Sequence, residues 1–207
     1  LIVLGGHTDF VMRVAFSPDS TLLATSSWDQ SVIIWDIAPG EPLLTLSDFS
    51  TGSIWGLAFS PDGTLLATGS NAGDIILWDV VASLAAKSGQ QFAALGDHPE
   101  GVFGLSFNSD GTRIATAGFD NSTRVWDIDS SEELITLKTH TNTVWDVAFS
   151  PDGSRLATAS WDGTARVYVL PIEALLTLGQ ERVSRWWSME ECQQYLHRDT
   201  CPERPDS

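Results

Sequence analysis

A short phrase recurs down this chain and constrains what it can fold into. Phe-Ser-Pro-Asp opens at Phe16, Phe59 and Phe149, and its relative Phe-Asn-Ser-Asp opens at Phe107, giving spacings of 43, 48 and 42 residues. A unit of that size cannot bury its own apolar face, so units repeated at a fixed period of ~40 to 45 residues must stack on one another. Function then belongs on the surfaces that stacked units present rather than in a single crevice.

Each unit reads as four short strands. In the first, Phe10 to Phe16 is an apolar or alternating run, and Ser17-Pro18-Asp19-Ser20 is a tight turn in which Pro sets the backbone angle and Asp accepts local amides. Leu22 to Ser26, Val32 to Trp35 and Leu43 to Leu46 follow as strands, with Trp28-Asp29-Gln30 turning the chain between the second and third. The other units place strands at 54–59, 65–70, 75–78 and 92–95; at 102–107, 114–117, 123–126 and 134–137; and at 144–149, 156–160, 165–169 and 175–178. The second unit carries an insertion around Ser83 to Gln90. Leu1 to Leu4 occupies the place of an outer strand of a preceding unit, which predicts a piece of a longer repeat array.

His near the start of a unit and Trp-Asp near its end, as in Gly6-His7 and Trp35-Asp36, resemble the WD-repeat β-propeller family. The resemblance implies an all-β fold of four four-stranded blades over residues 1–178, part of a seven-bladed ring, with a short C-terminal helical tail at 179–207. It also implies a hydrogen-bonded chain inside each blade: His7, Thr25, Asp29 and Trp35 in the first; His98, Thr116, Asp120 and Trp126 in the third; His140, Thr158 and Asp162 with Tyr168 for Trp in the fourth. The second has Thr68 and Trp78 but Ser50 and Ala72 where His and Asp belong, so that blade should be held less tightly.

A Ser or Thr, His and Asp set could activate a hydroxyl for hydrolysis. Here it occurs three times and is closed each time by an aromatic residue, which suits a structural network, and no catalytic residue is assigned. No glycine-rich phosphate loop or nucleotide fingerprint is present; Gly52, Gly56, Gly101 and Gly104 read as loop and strand-edge glycines. No cofactor is implied.

Eight further positions fall just before each first-strand core and at the start of each loop between second and third strands: Phe10, Met12, Trp55, Phe103 and Trp145, with Trp28, Phe119 and Trp161. Seven are aromatic, and aromatic anchors dominate interface hot spots. In the WD-repeat family the matching positions are where partners bind; the competing reading is that they pack neighbouring blades together.

Formal charge is −16, and −14 of it lies before residue 180. A surface for nucleic acid or anionic membrane needs clustered Lys and Arg, which these repeats lack. Much of the acidity serves turns and loops, through Asp19, Asp62, Asp110 and Asp152, Asp29, Asp120 and Asp162, and Asp36, Asp79 and Asp127. No run approaches the ~18 apolar residues of a membrane span, and the N-terminus has no signal-peptide pattern. A cytoplasmic location is expected.

Past Leu178, Ser188-Met189-Glu190-Glu191 reads as a capping box opening a helix to about Leu196. Cys192 to His197 and Cys201-Pro202 are similar to the C-terminal tail of large bacterial WD-repeat proteins. Cys192, His197 and Cys201 lack the second ligand pair of a zinc site, so no metal is assigned. A Cys192–Cys201 disulfide and two free thiols both remain open. The expected function is a non-catalytic scaffold binding a protein or peptide, within a larger bacterial regulator and alongside upstream blades. The alternative is a propeller enzyme or small-ligand sensor using the central channel.

Overall fold

The repeat period becomes four antiparallel sheets in chain order. The computed structural model describes residues 1–47 and 52–170. The first sheet is β1 (Val11–Phe16), β2 (Leu22–Ser27), β3 (Val32–Asp36) and β4 (Glu41–Leu46), and the second is β5 (Ile54–Phe59), β6 (Leu65–Ser70), β7 (Ile75–Asp79) and β8 (Gln91–Ala94). The third is β9 (Val102–Phe107), β10 (Arg113–Gly118), β11 (Thr123–Asp127) and β12 (Glu133–Leu137). The fourth has β13 (Val144–Phe149), β14 (Arg155–Ser160) and β15 (Ala165–Val169).

The Ser-Pro-Asp phrase forms the first hairpin of each sheet. Asp19 accepts from the Ser17 hydroxyl at 2.6 Å and the Thr21 amide at 3.1 Å, and Asp62, Asp110 and Asp152 repeat the pattern with Thr64, Thr112 and Ser154. These carboxylates are therefore turn elements, which accounts for part of the net charge.

Successive sheets stack through their first strands, β1 beside β5, β5 beside β9 and β9 beside β13. The same packing recipe is used twice over. Ala24, Ile34 and Leu46 of the first sheet meet Leu66 and Trp78 of the second; Ala67, Leu77 and Leu95 of the second meet Ile114 and Trp126 of the third. Burying such side chains is worth about 1.5 to 3 kcal/mol each, and these interfaces hold the core. Glycines let the first strands approach closely: a Cβ on Gly104 would lie 2.9 Å from the Asp146 Cα on the neighbouring β13.

Three expectations change. Leu1 to Leu4 forms no strand; Ile2 and Leu4 lie instead against Gly40. The insertion in the second sheet contains a helix, α1 (Val80–Ala86), because Asp79 caps it by accepting from the Ala82 amide at 2.8 Å. Gly56 and Gly104 sit inside β5 and β9 at the contacts between sheets, not at strand edges. The expected strand at 175–178, Ser50 and the C-terminal helix with Cys192, His197 and Cys201 lie outside the described residues.

The fourth sheet keeps one face open. Val167 occupies the position of Leu77 and Val125, both at 0% exposure, yet it is 65% exposed, and Val169 beside it is open as well. At the other end, Val14 and Phe16 of β1 are exposed where Leu57 and Phe59 are packed. Exposed apolar faces of this kind drive association. Multi-angle light scattering should show concentration-dependent association of the chain, and Val167→Lys should suppress it with the melting temperature unchanged. A monodisperse monomer at every concentration contradicts this.

Candidate functional site

The buried networks come first, because they fix the loops that carry the exposed aromatics. In the third sheet His98 Nδ1 meets Asp120 at 2.8 Å, its Nε2 meets Thr116 Oγ1 at 2.8 Å, and Trp126 Nε1 donates to the same oxygen at 3.0 Å. The ionised carboxylate can only accept, so Nδ1 carries the proton, Nε2 accepts from the Thr116 hydroxyl and that hydroxyl accepts from the indole. His98 and Thr116 are fully buried, and both ring nitrogens of His98, the Thr116 hydroxyl and the Trp126 indole N–H all have partners in this network. The first sheet repeats it with His7 to Asp29 at 2.9 Å, His7 to Thr25 at 2.7 Å and Trp35 to Thr25 at 2.8 Å. A hydroxyl so enclosed cannot reach a substrate, and the arrangement holds structure.

The fourth sheet departs from this pattern. His140 contacts Asp162 at 2.8 Å and Thr158 at 2.7 Å, but the Tyr168 hydroxyl bonds Thr139 instead of Thr158. A phenol carries its polar atom at the ring's tip, past the threonine that an indole N–H reaches from the side. In the second sheet Trp78 Nε1 donates to Thr68 at 3.0 Å, and Ala72 supplies no acceptor. Each His and Asp pair also has a hydroxyl two residues after the Asp. Ser31, Ser122 and Thr164 each donate to their carboxylate at 2.6 Å. The recurring Asp-x-Ser/Thr was the sequence signal for them.

These bonds shift the carboxyls. Burial alone would raise Asp29, but the Ser31 hydroxyl, the Thr8 amide and His7 outweigh it and hold the group at about 2. Asp120 is likewise held well below the usual carboxylate range, with His98, Ser122 and Arg124 overcoming burial, and Asp162 is lowered first by Thr164 and then by His140. A depressed folded-state value means the fold prefers the ionised form, so this stabilisation is full above the unfolded value near ~3.9 and is lost as pH falls toward ~2. Thermal melts should therefore drop between about pH 4 and about pH 2, and Asp120→Asn should shrink that drop. An undiminished drop in the variant places its source elsewhere.

Above the networks lies the aromatic edge. The first strand of every sheet has its register broken at one residue, a β-bulge, at Met12, Trp55, Phe103 and Trp145 in turn. A bulge re-aims the side chain at its extra residue, and here it turns that residue toward the edge of the sheet. The loop between second and third strands is stitched beside it by a backbone bond, Trp28 N–H to Phe10 C=O at 3.0 Å, Phe119 to Gly101 at 2.9 Å and Trp161 to Thr143 at 3.0 Å.

The rings then meet across sheets. Trp55 stacks on Phe103 at 4.6 Å and 6°, Phe103 meets Trp145 at 3.9 Å and Phe119 at 4.6 Å, and Trp145 meets Trp161 at 4.7 Å. Phe10 and Trp28 form a pair of their own, edge to face at 5.3 Å, while Met12 is half-buried. Trp161 is 55% exposed, and Trp28, Trp145 and Phe10 are exposed too, whereas Phe103 is only 4% exposed, sandwiched between Trp55 and Trp145. The Trp55 indole N–H is buried without an acceptor among the described residues.

Among the described residues no cluster of His, Cys, Asp and Glu could hold a metal ion, and no helix is long and apolar enough to cross a membrane. Four stacked antiparallel sheets with a recurring His, Thr, Asp and Trp network define a repeat protein that offers an edge of rings. The chain belongs to the WD domain, G-beta repeat family, whose model matches residues 1–36, 40–79, 89–127 and 131–168. Among curated proteins it is 46% identical over 43 residues to the small ribosomal subunit protein RACK1z of Arabidopsis thaliana, covering 21% of this chain and 13% of that protein. It is 50% identical over 42 residues to protein Mut11 of Chlamydomonas reinhardtii, covering 20% and 11%. An uncharacterized WD repeat-containing protein, sll1491 of Synechocystis, is 48% identical over 46 residues, covering 22% and 13%. These matches span about one repeat, a small part of each relative's length.

Proposed function

We infer that the four sheets are consecutive blades of a β-propeller and that the chain is a non-catalytic scaffold docking a protein or peptide on its aromatic edge. The observation that carries this is the five-ring cluster spanning the second, third and fourth sheets, from which Trp145 and Trp161 stand out into solvent. Rings needed only for packing would be covered, as Phe103 is. Membership of the WD-repeat family supports an interaction role, and a relative named as a small ribosomal subunit protein is a component of an assembly. The resemblance of the tail from Cys192 suggests that the scaffold serves a larger bacterial regulator in the cytoplasm.

Pull-down from a bacterial lysate with wild type and a Trp28, Trp145 and Trp161 triple alanine variant tests this. Each anchor should cost a bound partner about 2 kcal/mol or more, while the melting temperature of the free variant changes little. A variant that unfolds easily yet keeps every captured protein refutes the reading.

A further inference from the structure

The aromatic edge is also an acidic one, and several of its acids make no ion pair among the described residues. The segments that build it, residues 7–10, 28–31, 52–53, 71–74, 97–101, 119–122, 139–143 and 161–164, carry Asp9, Asp29, Asp74, Asp97, Glu100, Asp120 and Asp162 but neither Lys nor Arg. Lys138, at the end of β12, is the nearest base in sequence, and Arg13, exposed on β1, holds the register position that Asp146 holds on β13. Three of the acids are already engaged: Asp29 by His7, Asp120 by His98 and by Arg124 at 3.1 Å, and Asp162 by His140 with Arg166 at 4.0 Å. Asp9, Asp97 and Glu100, with Asp146 on β13, are exposed and make no ion pair among the described residues.

These free acids sit beside the rings. Asp146 follows Trp145 directly, Asp9 precedes Phe10, and Glu100 precedes Gly101, which is so close to Trp55 that a Cβ there would lie 2.9 Å from its ring. The opposite edge of the sheets is acidic as well, but its Asp19, Asp62, Asp110 and Asp152 are engaged by turn hydroxyls and amides, and its turns 17–21, 60–64, 108–112 and 150–154 contain no aromatic residue.

Resting on the docking role of this edge, the geometry points to a partner of one chemistry: a basic peptide segment whose Arg side chains lie over Trp145 and Trp161, with their charge answered by Asp146 and Glu100. A guanidinium stacks on an indole face and forks onto carboxylates, so one residue type satisfies both halves of the surface. An acidic segment would face uncompensated repulsion, and a neutral one would gain only the rings.

The test titrates the whole chain, by calorimetry and tryptophan fluorescence, with three short Gly-Ser peptides of equal length bearing alternate Arg, Gln or Glu. The Arg peptide should bind about tenfold or more tighter than the Gln peptide, as cation–π pairing with desolvation implies, and the Glu peptide should not bind. Raising salt from about 50 to about 500 mM should weaken the Arg peptide most. Asp146→Asn, an exposed change that leaves the fold alone, should lower Arg-peptide affinity severalfold, and Trp161→Ala should do so with circular dichroism unchanged.

Equal binding of the Gln or Glu peptide, sensitive to Trp161→Ala, overturns the cationic preference while leaving the docking edge in place. Arg-peptide binding that ignores Trp161→Ala and Asp146→Asn, or no Arg-peptide binding at all, overturns the proposal itself. The docking role fails separately, through partners retained by the triple alanine variant.

Discussion

Thr116→Val is expected to cost about 2 to 6 kcal/mol of folding stability, because one hydroxyl serves two buried groups and each orphan costs about 1 to 3 kcal/mol. Val has nearly the same shape, so no cavity complicates the reading. Without the hydroxyl, His98 Nε2 loses the proton it accepts at 2.8 Å and Trp126 Nε1 loses the oxygen it donates to at 3.0 Å. Neither can turn to water, since His98, Thr116 and Trp126 are all buried. Thr158→Val supplies the comparison. There only His140 depends on the hydroxyl, at 2.7 Å, because Tyr168 bonds Thr139 instead, so its loss should be about half as large, near 1 to 3 kcal/mol. Urea denaturation with unchanged slope measures both. Equal losses in the two variants would mean that Trp126 gains nothing from Thr116.

That contrast also marks how far the residues alone could be read. The strands were legible because the apolar runs and Ser-Pro-Asp turns recur at nearly constant spacing, and stacking then allows few arrangements. The His, Thr, Asp and Trp positions could be matched repeat to repeat for the same reason. What could not be read depends on details below the level of residue type. Tyr168 stands where Trp does in the other sheets, and only its longer reach to the polar atom takes it out of the network. The bulges at Met12, Trp55, Phe103 and Trp145 leave no composition signal, yet they aim the rings. Phe103 looks like its neighbours in sequence and is buried because rings close over it from both sides. Asp79 has the same sequence context as Asp36 and Asp127. Those two accept from turn amides at Ala38 and Ser130, whereas a run of Val, Ala and Leu after Asp79 lets the same carboxylate cap a helix.

Gly73→Ala should be at least as damaging as Thr116→Val, and it couples the fold to the docking edge. Gly73 holds φ +101, more positive than Gln30 at 68 and Asn121 at 62 in the equivalent turns, and a Cβ there would lie 1.9 Å from the His98 carbonyl oxygen. Its own carbonyl accepts the His98 amide at 3.2 Å, so the second-sheet loop and the entry to the third sheet are locked together. The backbone strain alone is of order 1 to 3 kcal/mol, and relief of the overlap must push residues 97–101 away, for a total of about 3 kcal/mol or more. Gly163→Ala isolates the strain. That glycine has φ +84 with nothing within 4 Å of its Cβ position, so its alanine variant should lose only about 1 kcal/mol. Because Gly101 abuts Trp55, moving residues 97–101 should also shift the ring cluster and weaken capture of a partner. Denaturation and pull-down on the two variants read both effects. A Gly73→Ala variant as stable as Gly163→Ala and undiminished in binding would show that the loop and the third-sheet entry are not locked.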